Sequence, residues 1–507
     1  MIKYLFSIFF DLCITYLCDS NQYYLSVFKK LASEAALYGL SSILARLVNF
    51  ILVPIHTGVF KERADYGVIG QLFGWIAVGV TLYTMRLESA YFRYASNDEN
   101  SRSYANSKIV TLLITIILSA SVLFFADPLA QWLQIGGYGY LVKYAALIIS
   151  FDALAELPFA KLRLQKKPVK FVTIKITGIL INVVLNVYFL LLAPHLNTPA
   201  PEDKIAAVFL ANLMASVFTF LLLNKEYLAE GFEWNKKEIT KVLQYAWPLL
   251  IVGLAGNFND AMTRQFIGWF ANGTAEVKKT MMGEYNACVK FGVFIMLFVQ
   301  AFRYAAEPFF FKHMHHSEAK SDYSKITTYF TQFLMIGFVG VMVYLDFIQP
   351  IVVRTPSYLN GIGIVPLVLM ANVINGIYYN VSNWYRLTDK TEYGMYSALI
   401  GVAVTVISNY ILVPLYGYYG TAMAMILCYF TMTLITYLWG QKYFAVNYEW
   451  RKMIVVMAGG ILTFLLYTFI RDYIHPGYLL KFVLSSFFFI VYLFVFNYSL
   501  LRSVIKK

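Results

Sequence analysis

Apolar residues run in blocks of about 20 along most of the chain, with short polar stretches between them. A block of that length crosses the roughly 30 Å hydrocarbon core of a bilayer as an α-helix. Hydropathy, with turn residues as punctuation, predicts about 14 spans by a window of roughly 19 residues. They fall near 36–58, 67–92, 108–126, 140–162, 170–193, 204–224 and 242–270. The rest fall near 281–310, 326–349, 360–386, 394–415, 419–441, 453–471 and 478–500. The expectation is an all-α polytopic membrane protein.

Composition agrees. Of 507 residues, 59% are hydrophobic and 14% charged, against about 25% charged in a soluble domain. Mean hydropathy is +0.61. The 42 Phe and 40 Tyr suit helices bordered by aromatic belts. A net charge of +13 would suggest nucleic acid in a soluble protein. Here the basic residues fall in short loops, so membrane orientation is the simpler cause and no nucleic-acid partner is expected. With the N-terminus inside, inner segments hold Lys29, Lys30, Lys161, Arg163, Lys166, Lys167, Lys236, Lys237, Arg451 and Lys452, among others. The count is roughly 25 inside against 8 outside, the asymmetry of cytoplasmic loops. Both termini are expected in the cytoplasm and the chain in a bacterial cytoplasmic (inner) membrane. Residues 1–28 begin MIKYLFSIFF, but Asp11 interrupts the run and no small-residue cleavage site follows. They read as an interfacial helix or an over-extended start rather than a fifteenth span.

Internal repetition organises the spans. Asp65-Tyr66 precedes Glu88, and Glu88-Ser-Ala-Tyr-Phe-Arg93 ends span 2. Glu284-Tyr285 precedes Glu307, and Glu307-Pro-Phe-Phe-Phe-Lys312 ends span 8, each 219 positions further on. Arg163-Leu-Gln-Lys-Lys167 matches Arg386-Leu-Thr-Asp-Lys390 at an offset of 223, as Asn186 matches Asn409. Spans 1–6 and 7–12 read as two copies of one bundle. An even span number per copy keeps the copies parallel, related by an axis along the membrane normal. The expected division is an extension over 1–28, one six-helix bundle over 29–228, a second over 229–443, and spans 13–14 with the tail over 444–507.

Polar residues inside these spans are the candidate chemistry. Span 1 places Gly39, Ser42, Arg46 and Asn49 on one helical face, and span 7 places Gly253, Asn257, Asp260 and Arg264 likewise. A charge at mid-bilayer costs roughly 2.5–3.5 kcal/mol on insertion scales, so it should face protein or a watery cavity. Arg86 and Arg303 lie in spans 2 and 8, and Lys290 also lies in span 8. One reading makes these cations structural, because Asp260 and Arg264, like Arg303 and Glu307, are i,i+4 partners. Arg46 and Lys290 have no carboxylate at such spacing. The other reading is a cationic cavity between two bundles, lined by Arg46, Arg86, Arg264, Lys290 and Arg303 with Ser42, Asn49 and Asn257. Arginine's planar fork grips phosphate oxygens in pairs. Lys143 and Lys175 lie near span ends, where snorkelling explains them. Glu88, Asp260, Glu307 and Asp152 (i,i+4 with Glu156) are candidate ion-coupling carboxylates, each also readable as half of a structural ion pair.

Other signals are sparse. His313, His315 and His316 read as a solvated loop cluster rather than a metal site. Cys288 and Cys428 lie inside predicted spans, and with Cys13 and Cys18 they show no zinc spacing. The chain has no P-loop, Gly-x-Ser-x-Gly or His-Glu-x-x-His motif. No cofactor and no catalytic activity are expected.

The 6+6+2 arrangement, the Asp65-Tyr66-Gly67 after span 1 and the Leu87–Tyr94 run LESAYFRY ending span 2 resemble the multidrug/oligosaccharidyl-lipid/polysaccharide (MOP) superfamily. Within it the chain is most similar to Wzx-type polysaccharide-biosynthesis flippases over about residues 29–500. The resemblance implies two bundles alternating between inward-open and outward-open states. It also implies that the cargo is an undecaprenyl-pyrophosphate-linked oligosaccharide destined for O-antigen, capsule or exopolysaccharide. Membrane lipids are the other expected contact, with a polysaccharide polymerase and glycosyltransferases as functional partners. Drug exporters of the superfamily handle cations and favour acidic cavities, whereas this chain places basic residues at the expected interface between the bundles. A lipid II flippase also carries a pyrophosphate and stays open as an alternative. A membrane polysaccharide polymerase or ligase fits less well, because no large external loop is present.

Overall fold

A computed structural model describes residues 50–97, 102–196, 198–199, 201–300, 302, 319–388 and 390–497. Among them every regular element is helical. In chain order the first seven helices used below are α1 (Leu52–Val59), α2 (Arg63–Thr84), α3 (Leu87–Asn97), α4 (Ser103–Phe124), α5 (Gly139–Leu164), α6 (Pro168–Val187) and α7 (Lys204–Leu222). They are followed by α8 (Lys236–Phe270), α9 (Ala275–Val289), α10 (Ala319–Val343) and α11 (Val365–Val381). The last four are α12 (Glu392–Tyr416), α13 (Tyr418–Tyr443), α14 (Trp450–Ile474) and α15 (Tyr478–Phe496).

Twelve helices among the described residues are long and apolar enough to cross a membrane, so the chain is a multi-pass membrane protein. The expected count of about 14 is not confirmed among the described residues. Span 1 is described only from residue 50. α5 is 26 residues long but carries Lys143, Asp152, Glu156, Lys161 and Arg163, and it falls outside the twelve. Apolar side chains such as Ile117, Phe430, Leu465, Phe487 and Val495 are exposed on the outer faces. On a soluble protein such a surface would be an aggregation hazard; here it matches lipid tails.

Helix starts follow local chemistry. Asn235 accepts from the backbone N–H groups of Lys237 and Glu238 at the start of α8, and Thr274 caps α9 through the N–H of Val277. Asp203 does the same for α7 through Ile205. These side chains satisfy donors that the first helical turn leaves unpaired.

One expectation needs correction. Span 2 is not one continuous helix. It breaks between α2 and α3, where Met85 and Arg86 take φ of 46° and 58°. Left-handed backbone at two successive bulky residues is strained and persists only when tertiary contacts impose it.

α2 packs against both α8 and α9, so one helix of the first half is held between two of the second. α14 and α15 pack on each other and on α10. Asp346 fastens them, receiving Arg471 Nη1 and Lys481 Nζ at 3.4 Å each. The positions offset by 223 show the same local geometry. Asn186 and Asn409 are both buried, and each donates its amide to the carbonyl four residues earlier, at 2.8 and 2.7 Å.

Basic residues cluster at one end of the bundle. That end gathers Lys108, Lys161, Arg163, Lys170 and Lys241 and is called the basic end below. Lys161 pairs with Glu230 at 2.6 Å and Lys170 with Glu226. Arg93 and Lys241 lie over the rings of Tyr245 and Tyr94 at 4.6 and 4.5 Å.

Candidate functional site

A cavity of about 510 Å³ lies between the two halves of the molecule. α1 and α2 supply one wall, with Asn182 from α6 and Asn212 from α7. α8, α9 and the turn that follows α9 supply the other, through Asn257, Ala261, Arg264, Asn286 and Lys290. Its volume falls within the range of about 300–1,000 Å³ typical of small-molecule sites. Its lining includes two basic side chains, one histidine and four asparagines, and no carboxylate among the described residues.

The cations are held by specific supports. Arg264 Nε donates to Asn286 Oδ1 at 3.0 Å, and Asn286 Nδ2 donates to the Tyr66 carbonyl at 3.3 Å. Gly70 is what admits Asn286: a Cβ there would lie 2.4 Å from the amide carbon. Lys290 starts a 3₁₀ turn, Lys290–Gly292, that interrupts the α-helical run following α9. Such tightened turns inside long helices mark strain or function. Lys290 forms no salt bridge among the described residues, while its neighbour Asn286 on the preceding turn serves Arg264. Asn257 donates to Thr81 Oγ1 at 2.6 Å and to the Ala77 carbonyl at 3.3 Å, joining α8 to α2.

The cavity is capped away from the basic end. Arg63 Nη1 forms an ion pair with Glu284, which also receives Asn360 Nδ2 at 3.2 Å. Tyr358 donates to the Phe60 carbonyl at 2.8 Å. The backbones of α2 and α9 meet directly: a Cβ on Gly283 would stand 1.8 Å from the Arg63 carbonyl oxygen.

Of the residues singled out from the sequence, Asn257, Arg264 and Lys290 come together in this cavity. Arg86 and Glu88 do not. They sit at the α2–α3 break, paired at 3.3 Å, with Arg86 Nε packed beside Gly253. Asp152 faces Ser216 of α7, away from the cavity lining. Ser42, Arg46, Asn49, Arg303 and Glu307 lie outside the described residues, as does the side chain of Asp260. His313, His315 and His316 do so too.

Sequence reading missed His56, Asn182, Asn212 and Asn286. A histidine or asparagine inside an apolar run carries an insertion cost, which was the available signal. It also missed a buried pair across the halves, Gln71 Nε2 donating to Gln265 Oε1 at 2.5 Å, with Trp75 Nε1 reaching the same oxygen at 3.2 Å.

A profile described as polysaccharide biosynthesis protein matches residues 31–314. No curated protein matches the chain significantly. Among solved structures, the lipid II flippase MurJ in an inward closed conformation superposes with a TM-score of 0.72 at 14% identity, covering 92% of this chain and 100% of that one. An inward-facing multidrug resistance MATE family transporter of the MOP superfamily gives 0.57 at 15%, covering 82% and 93%. A MOP superfamily transporter from Pyrococcus furiosus, described by the reverse polarity of its binding pocket, gives 0.53 at 15%, covering 82% and 94%. At these identities the likeness is one of fold. The profile spans more than half of the chain, so the protein belongs to the polysaccharide biosynthesis protein family, and its fold is that of the MOP superfamily transporters.

Proposed function

We propose that the protein moves an undecaprenyl-pyrophosphate-linked oligosaccharide from the inner to the outer leaflet of a bacterial cytoplasmic membrane, by alternating access and without catalysing a reaction. The observation that carries this reading is the cavity between the halves, with Arg264 and Lys290 in its walls and no carboxylate among its described lining residues. Two cations can hold a diphosphate while the prenyl tail stays in the bilayer and the sugars occupy the aqueous space. A charge pair about 4 Å apart contributes about 4 kcal/mol at an effective dielectric near 20. That is comparable to the roughly 2.5–3.5 kcal/mol each cation costs on insertion. The basic end is taken as cytoplasmic, from the excess of Lys and Arg there. Arg46 and Arg303 are proposed to extend the cationic surface, and Asp260 is the first carboxylate to examine for ion coupling.

The cargo's sidedness tests the proposal. Cells lacking the protein should keep making the lipid-linked oligosaccharide while a membrane-impermeant glycosidase, added from outside, no longer reaches it. Unpolymerised units accumulating on the outer face would favour a polymerase instead. The same cavity chemistry suits lipid II, and the full-length superposition on its flippase makes that the second reading. Depletion that blocks peptidoglycan synthesis and leaves surface polysaccharide intact would select it.

A further inference from the structure

His56 lies on α1 with 6% of its surface exposed, and it lines the same cavity as Lys290 and Arg264. Its Nε2 is 3.0 Å from Asn186 Oδ1. The next contact along decides which of these atoms carries the hydrogen. The Asn186 amide nitrogen lies 2.8 Å from the Asn182 carbonyl oxygen and 2.9 Å from Asn182 Oδ1. A backbone carbonyl only accepts, so the amide N–H must point there and the amide oxygen must face the ring. His56 Nε2 is therefore the donor. In a neutral ring the lone pair then sits on Nδ1, which has no hydrogen-bond partner among the described residues.

Among the described lining residues there is no acid. Lys290 and Arg264 share the cavity with His56, and the Tyr66 ring lies 6.1 Å away. From α6, Asn186 meets the ring and Asn182 holds Asn186 in turn. Beyond the end of α1, Arg354 packs beside Gly58 and its backbone N–H donates to Thr57 Oγ1 at 3.2 Å. In the neighbouring Leu345–Val352 helix, Asp346 is ion-paired with Arg471 and Lys481.

We infer that His56 is a third, proton-dependent cation of the anion site, binding its proton together with the diphosphate group. With the cavity empty, the basic groups Arg264 and Lys290 disfavour a further positive charge beside them. An entering diphosphate reverses the local field, and a proton on Nδ1 turns that atom from an acceptor, which repels phosphate oxygens, into a donor that binds them. Linkage is reciprocal, so anion affinity rises as the pH falls and the proton leaves when the anion does. The Asn182–Asn186 pair acts by positioning, keeping Nε2–H engaged so that Nδ1 is the nitrogen that changes state. This inference rests on reading the cavity as an anion site.

The test uses the full-length protein in lipid nanodiscs and a short-chain prenyl-pyrophosphoryl-N-acetylglucosamine, a diester whose charge is constant over the range studied. Affinity should rise at least about threefold from about pH 8 to about pH 6. His56→Gln, which keeps a side-chain N–H for Asn186, should bind with an affinity independent of pH. Asn186→Asp places a carboxylate on Nε2–H, and the midpoint of the pH dependence should move upward. Wild-type binding that ignores pH, or a pH dependence that survives in His56→Gln, overturns the inference; the second result would assign the titration to another group, Lys290 first. Failure of the underlying reading looks different: no binding at any pH, or binding unaffected by Lys290→Met. If His56→Gln does not fold, the direction of the Asn186→Asp shift decides alone.

Discussion

Arg264 and Lys290 reach the cavity in different ways, and the difference predicts how each tolerates substitution. Arg264 is braced: Asn286 takes its Nε–H, and the Tyr66 carbonyl holds Asn286 in turn. A lysine at 264 keeps the charge but loses both the brace and the planar fork. Hydrogen bonds to charged groups contribute about 1.5–3 kcal/mol, so Arg264→Lys should lower diester affinity by roughly tenfold or more, and Arg264→Ala further. Lys290 stands on a 3₁₀ turn without a salt bridge among the described residues, acting as a point charge. Lys290→Arg should bind nearly as well as the wild type, while Lys290→Met loses affinity. Binding measured at one ionic strength checks both. Equal losses for Arg264→Lys and Lys290→Arg would refute the distinction. The cations were legible in the sequence because a charge in an apolar run is costly and conspicuous. The asparagines were not, because a neutral amide interrupts an apolar run less visibly and its role depends on which helix lies opposite.

At the scale of helices, run length and capping residues set the elements, and most predicted spans have a described helix in the same place. The break at Met85–Arg86 was not legible. The sequence Thr84-Met-Arg-Leu-Glu88 contains neither Gly nor Pro, and its cause is tertiary. Arg86 packs beside Gly253 on α8 and pairs with Glu88 across the break. The α2–α9 crossing has the converse character: its glycines are plain in the sequence, but their partner is not. At Gly283 a methyl group would collide with the Arg63 backbone oxygen, an atom that no rotamer change can move aside. Gly283→Ala should therefore push α2 and α9 apart and lower the thermal midpoint in detergent. A variant that melts with the wild type would show that the crossing is looser than these contacts imply.

For the whole molecule, the cap of the cavity is the part that alternating access would have to open. Arg63, Glu284 and Asn360 join the first half to the second there. Arg63→Glu should weaken the cap, and the swap Arg63→Glu with Glu284→Arg should restore it. The readout is labelling of Ala261→Cys by an impermeant maleimide from the face opposite the basic end, in a background lacking the native cysteines. Labelling should rise in the single variant and fall back in the swap; no change in either would mean that the ion pair does not hold this end shut. The repeated residue offsets were visible in the sequence, and Asn186 and Asn409, which share one of them, also share a local hydrogen-bond geometry. The manner in which α2 is gripped between α8 and α9 was not visible, since it depends on how the two halves of the chain meet. That grip bears on something other than cargo. Where α2 and α9 touch backbone to backbone at Gly283, these two helices leave no room between them for a file of water. Under the proposed function, a dry contact of this kind is where the membrane potential would drop while a charged headgroup waits in the cavity.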